Sequence, residues 1–165
     1  MSGKWSESYT GQLRQLVGHR KLIIPSIRAI IHNDKGEVLF IKRRGDGSWA
    51  LPAGAIELEE SIFQCLQREV QEETGLYVLE ATLISIYTEP RFSVVTSYSD
   101  EYQGFEFLYR VDRWSGLIAN VTDETTAAHF FPLNNLPSTS PGYWANHQIE
   151  VFEDLKDFQG VPLIK

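Results

Sequence analysis

Cysteine is nearly absent from this chain of 165 residues. The one copy, Cys65, has no internal partner, which excludes a disulfide framework and a cysteine-based zinc site. No apolar run approaches the ~18 residues that cross a bilayer. The opening residues, Met1-Ser2-Gly3-Lys4-Trp5-Ser6-Glu7, hold no apolar core of a secretion signal. A cytoplasmic protein without a membrane partner is the expectation. Positive charge is also scarce, with 15 Lys+Arg against 22 Asp+Glu and a net charge of −7. Nucleic acids are bound by basic faces that release counterions, so this balance argues against them as partners. A small phosphorylated ligand stays open, because a bound cation or a few local arginines reverse the sign inside one pocket.

What is present is ordinary for a globular protein: 42% hydrophobic and 22% charged residues, in a length that suits one domain. Residues 1–20 read as an N-terminal extension in which Leu13, Leu16 and Val17 form a helical turn or two, and 21–165 as a single α/β domain. The β-branched stretch 22–32 predicts a strand with Pro25 at its start or edge. Asn33-Asp34-Lys35-Gly36 is a turn, and 37–42 predicts a second strand that pairs with the first as a hairpin. Further strands are expected at 76–79, 82–88, 103–113 and 128–133. One helix is expected from Ser61 to Thr74, closed by Gly75, and a last one over 145–158 directs Ile149, Phe152, Leu155 and Phe158 to the core.

The informative stretch is the middle helix. Wound at 3.6 residues per turn, Glu69, Glu72 and Glu73 share an arc of about 100° that borders the stripe of Ile62, Phe63, Leu66 and Val70. Three carboxylates at i, i+3 and i+4 repel one another, and at the edge of a core they are poorly solvated. A hard divalent cation offsets that cost, and oxygen ligands suit Mg²⁺ or Mn²⁺. A solvated acidic face, with Arg68 supporting Glu72 and Glu60 placed against the helix dipole, is the plain alternative.

Gly54, Glu60 and the run Arg68-Glu69-Val70-Gln71-Glu72-Glu73-Thr74-Gly75-Leu76 together match every defining position of the Nudix box. The odds of a chance match at one starting point are on the order of 10⁻⁹. The chain thus resembles the MutT-like Nudix hydrolases over roughly residues 20–160. The resemblance implies a three-layer α/β/α sandwich with a mixed sheet and Mg²⁺- or Mn²⁺-dependent cleavage of a nucleoside diphosphate linked to another group. It implies Glu69, Glu72 and Glu73 as metal ligands, Glu69 as the first candidate for the base that activates water, and Arg68 as an orienting residue paired with Glu60. Gly54 would let the loop turn into the helix, and Arg44 would meet the substrate's phosphate or base. In some branches the base lies on a later loop, which keeps Asp100, Glu101, Asp123 and above all Glu124 in play, with Glu60 a further candidate base or ligand. Two departures from the common pattern stand out. Ala53 and Glu59 occupy positions that are often glycine, which points to altered loop geometry.

The substrate alternatives are a (d)NTP, an ADP-sugar and a dinucleoside polyphosphate, with Pro90 weakly favouring the ADP-ribose type. A fourth, the 5′ end of RNA, is disfavoured by the net charge of −7. Trp49, Tyr87, Phe92, Tyr98, Tyr102 and Trp144 are candidates to stack on a base, and a homodimer is open. The competing reading from another class is a non-catalytic nucleotide-binding regulator on the same fold.

Overall fold

The computed structural model describes residues 3–96, 98–139 and 143–165, with side chains from Trp5 onward apart from those of 143–146; Trp144's side chain lies outside them. Two helices open the chain, α1 (Gly3–Glu7) and α2 (Tyr9–Val17). Strands β1 (Leu22–Ile31), β2 (Val38–Arg43), β3 (Trp49–Ala50) and β4 (Ala53–Ala55) lead to helix α3 (Ile62–Thr74). Then come β5 (Tyr77–Tyr87), β6 (Ser93–Val95), β7 (Glu101–Ser115), β8 (Thr125–Phe131), helix α4 (Tyr143–Asp157) and β9 (Leu163–Ile164).

The main sheet is mixed and runs β4-β1-β7-β5-β9, with β6 on the end of β7, while β3-β2-β8 form a smaller second sheet. β1 is parallel to β7, and β5 is antiparallel to it. Alternation along β1 sends Ile27, Ala29 and Ile31 into the core beneath α3, with Leu66 and Val70. Ile30 points the other way, toward Leu108, Tyr87 and Val151 under α4. The result is the α/β/α sandwich with a mixed sheet that the resemblance implies.

Several local expectations are corrected. β1 and β2 do not form a hairpin. They share a single bridge, His32 to Val38, and enter different sheets because β1 finds its long partner in β7 and β2 in β8. The two strands expected at 76–79 and 82–88 are one strand whose register shifts near Val78, Glu80 and Leu83 disturb its alternation. Pro25 lies within β1, just past the last residue paired to β4, and its carbonyl accepts the Ile56 amide at 3.0 Å. Phe152 and Leu155 of α4, and Phe158 just past it, pack against the core as expected, but Ile149 is exposed, and the fully buried positions are His147, Val151 and Asp154. The N-terminal helix is likewise held by a polar residue. Leu16 is 82% exposed while Arg14 is buried.

Among the described residues, no helix is long and apolar enough to cross a membrane.

Candidate active site

Helix α3 is fixed at both ends by its own sequence. The Ser61 hydroxyl accepts the Gln64 amide while the Gln64 side chain returns a bond to the Ser61 N–H, a complete capping box. Gly75 takes the left-handed conformation, φ 77°, and its N–H closes on the Gln71 carbonyl. With the rotation set, Cys65, Leu66 and Val70 pack inward and carry Glu69 and Glu73 into the margin of the core.

Arg68 is the hub. Its Nε and Nη2 donate to both oxygens of Glu60 at 2.8 and 2.9 Å, Nη1 donates to Glu69 at 2.7 Å and to Glu72 at 3.2 Å, and Nη2 also reaches the Ala55 carbonyl at 3.0 Å. One rigid guanidinium thus sets three carboxylates and ties the loop before the helix to the helix itself. Burial works against ionising Glu60, but the Arg68 bonds and the Glu57 amide outweigh it and hold its carboxyl below the usual range.

Glu69 is 8% exposed. Burial pushes its carboxyl up to about 7, with Arg68 opposing and the charges of Glu124 and Glu72 adding to the rise. Glu73 is raised well above the usual range by burial first and by Glu69 second, although the Ala53 amide donates to it at 3.0 Å. Gly54 serves the site through its missing side chain. A Cβ there would sit 1.9 Å from the Glu69 carboxyl carbon, so the glycine is what lets that carboxylate lie against β4. Its φ is not among the left-handed ones, so the reason for glycine is close approach and not a tight turn.

Among the described residues, the carboxylates gathered closely enough to share an ion are Glu69, Glu72 and Glu124, each offering an oxygen within 4.8 Å of the others. Glu73 stands outside that group and points to β4. Glu124 arrives on the turn before β8. The Thr122 hydroxyl accepts the Glu124 and Thr125 amides, and the Thr125 hydroxyl donates to the Glu73 carbonyl at 3.0 Å. Arg44 grips this turn through Nε to the Asp123 carbonyl at 3.1 Å and Nη2 to the Thr122 carbonyl at 2.6 Å, and its own N–H meets the Glu124 carbonyl. Asp100 and Glu101 lie elsewhere. Asp100 pairs with His19 at 2.9 Å, and the Glu101 carbonyl accepts Arg14.

The aromatic candidates divide as well. Tyr87 is buried with its hydroxyl donating to Asp154, Tyr102 lies under Arg14, and Phe92 packs against Tyr87 and His147. Trp49 is half-buried against Phe131, and Tyr98 is exposed. Glu57 was not singled out by sequence reasoning. Its carboxylate accepts the Tyr9 amide at 2.8 Å, and its own amide donates to Glu60 at 3.0 Å. No local spacing announces a contact across 48 residues.

Fold and site together define a class, an α/β/α sandwich with an acidic cluster built on a capped helix and a glycine-led loop. The NUDIX domain model matches residues 23–155, and the chain belongs to the NUDIX family. It is 33% identical over 152 residues to the human 8-oxo-dGDP phosphatase NUDT18, covering 88% of this chain and 43% of that protein. It is 31% identical over 133 residues to an ADP-ribose pyrophosphatase of Methanocaldococcus jannaschii, covering 75% of this chain and 72% of that one. The chain spans less than half the length of the 8-oxo-dGDP phosphatases it matches. The crystal structure of a MutT NUDIX hydrolase from Burkholderia pseudomallei superposes with a TM-score of 0.63 at 24% identity, covering 79% of this chain and 97% of that one.

Proposed function

We propose that this chain is a divalent-metal-dependent pyrophosphohydrolase acting on a nucleoside diphosphate or a small derivative of one. The observation that carries the reading is the convergence of Glu69, Glu72 and Glu124 beside an arginine already committed to orienting two of them. The relatives add the substrate class, since 8-oxo-dGDP and ADP-ribose both contain a nucleoside diphosphate.

The donor set fits Mg²⁺ or Mn²⁺. All three groups are carboxylates, and the buried Cys65 thiol, which burial pushes up to about 12, is not a competing ligand. When bound between these residues, the cation supplies charge neutralisation for the diphosphate and acidifies the attacking water. The rest is the work of the protein's own side chains. Arg68 keeps Glu69 and Glu72 turned toward one point, so no reorganisation is needed when charge develops. Glu69 and Glu124, both in the cluster, are the candidate carboxylates to take the proton from water. Water adds to phosphorus, the bridging P–O bond breaks, and the bridging oxygen leaves with its electron pair on the second product.

A panel of nucleoside diphosphates, (d)NTPs, ADP-sugars and dinucleoside polyphosphates, assayed with Mg²⁺, with Mn²⁺ and with EDTA, tests the reading. Turnover should need the metal. Glu72→Gln should lower kcat by a factor on the order of 10²–10⁴. Metal-independent turnover, or a Glu72→Gln protein at the wild-type rate, overturns it.

A further inference from the structure

The loop that carries Glu60 is tied to the N-terminal helices by a chain of hydrogen bonds. The first amides of a helix have no partner within it, and in α2 the Tyr9 N–H is satisfied by Glu57 Oε2 at 2.8 Å. The Glu57 amide donates to Glu60 Oε2 at 3.0 Å, and that same oxygen accepts Arg68 Nη2 at 2.9 Å. Arg68 then sets Glu69 and Glu72.

The loop is under strain where this chain of contacts crosses it. Glu59 sits at φ 60°, left-handed for a residue with a side chain, and such a conformation persists only where its surroundings over-determine it. The helices are themselves anchored. Arg14, buried in α2, donates to the Glu101 carbonyl at 2.6 Å and the Tyr102 hydroxyl at 3.1 Å, and lies 4.3 Å over the Tyr102 ring. α1 is seated on α2 so closely that a Cβ on Gly11 would fall 1.9 Å from the Trp5 carbonyl oxygen. The Ser8 hydroxyl, which caps α2 by accepting the Gly11 amide, also donates to that carbonyl.

From this we propose that α1 and α2 brace the catalytic loop and that Glu57 is a positioning residue for Arg68 and its carboxylates, although nothing in the N-terminal segment belongs to the acidic cluster. The inference deepens the reading of Glu69 and Glu72 as catalytic carboxylates and rests on it.

Tyr9 is the first residue of α2, where proline fits a helix, and Ser8 at ψ 156° already has the extended conformation a following proline requires. Tyr9→Pro therefore deletes the amide donor, while Tyr9→Ala removes the same side chain and keeps the donor. Relative to Tyr9→Ala, Tyr9→Pro should lower kcat by a factor on the order of ten, with KM within about twofold, because a loosened loop misplaces groups without removing substrate contacts. Hydrogen exchange at amides 55–60 should rise, with β1 and β7 unchanged. Glu57→Ala should reproduce both effects, Glu57→Gln should retain most of the rate, and the double variant with Tyr9→Pro should be no worse than either single one. Equal exchange and equal rates in Tyr9→Pro and Tyr9→Ala overturn the brace, as do effects of Tyr9→Pro and Glu57→Ala that multiply. If the wild-type protein turns over nothing in the panel, the proposed function fails, while the exchange comparison still decides the brace.

Discussion

Glu59 and Ala53 both stand where Nudix sequences often have glycine, and backbone geometry separates them. Ala53 pairs with Arg28 across β1 and has no left-handed φ, so a methyl group costs nothing there. Glu59 is exposed and left-handed at φ 60°, which costs a side-chain-bearing residue roughly 1–2 kcal/mol. Glycine would relieve that strain and give back part of the gain through its freer unfolded chain. Glu59→Gly should therefore raise Tm by about 1–3 °C, and Ala53→Gly should lower it. Thermal melts of the two variants check this, and a Glu59→Gly protein that melts below the wild type refutes it.

The helix and the turn that build the site differ in how they are specified. α3 is legible in sequence because everything that fixes it is local: the Ser61 cap, the apolar period, Gly75 and the acidic arc. The turn at 122–125 is not, since Glu124 gains its meaning from Arg44, roughly 80 positions earlier, bound to the turn's carbonyls. The same limit hides the true partners of β1 and β2, which are set by pairing with β7 and β8 and not by the short turn between them. It also hides the polar anchor Arg14, whose neighbours lie 87 and 88 positions away. If Arg44 works by holding the turn, Arg44→Ala should lower kcat by about tenfold or more as Glu124 drifts. Arg44→Lys should recover little, because lysine lacks the fork. Steady-state kinetics separate this from direct phosphate binding, for which KM would rise while kcat stayed level.

Across the whole molecule, two sets of buried carboxylates pull stability in opposite directions with pH. Glu106 joins the layers, accepting both donors of Arg28 from β1 at 2.8 and 2.7 Å and facing His147 of α4 at 3.1 Å. Burial opposes its charge, but Arg28 and His147 prevail and bring its carboxyl down to about 2. Its folded value lies below the unfolded one, so its contribution is present above about pH 4.5 and is lost as pH falls toward 2. Glu69 has the reverse sign. Its folded value, about 7, lies above the unfolded one. Stability is therefore greatest while both states are protonated, and it falls as pH rises from about 4.5 through 7, by an amount on the order of 3 kcal/mol. Glu73, raised by the same burial, adds to that loss. The metal-free protein should therefore be most stable near pH 4–5 and weaker at pH 8. A cation that binds ionised carboxylates stabilises the folded state by mass action, and more strongly where they are already ionised. Millimolar Mg²⁺ should then raise Tm more at pH 8 than at pH 5, and Glu69→Gln should flatten the metal-free profile above pH 5 while reducing the Mg²⁺ response. Calorimetry across pH 4–8 with Mg²⁺ or EDTA measures both. An equal Mg²⁺ shift at pH 5 and pH 8 would mean that the raised Glu69 carboxyl does not face the ion, because a buried acid of raised folded value weakens the empty fold in the same pH range where, once ionised, it binds a cation most tightly.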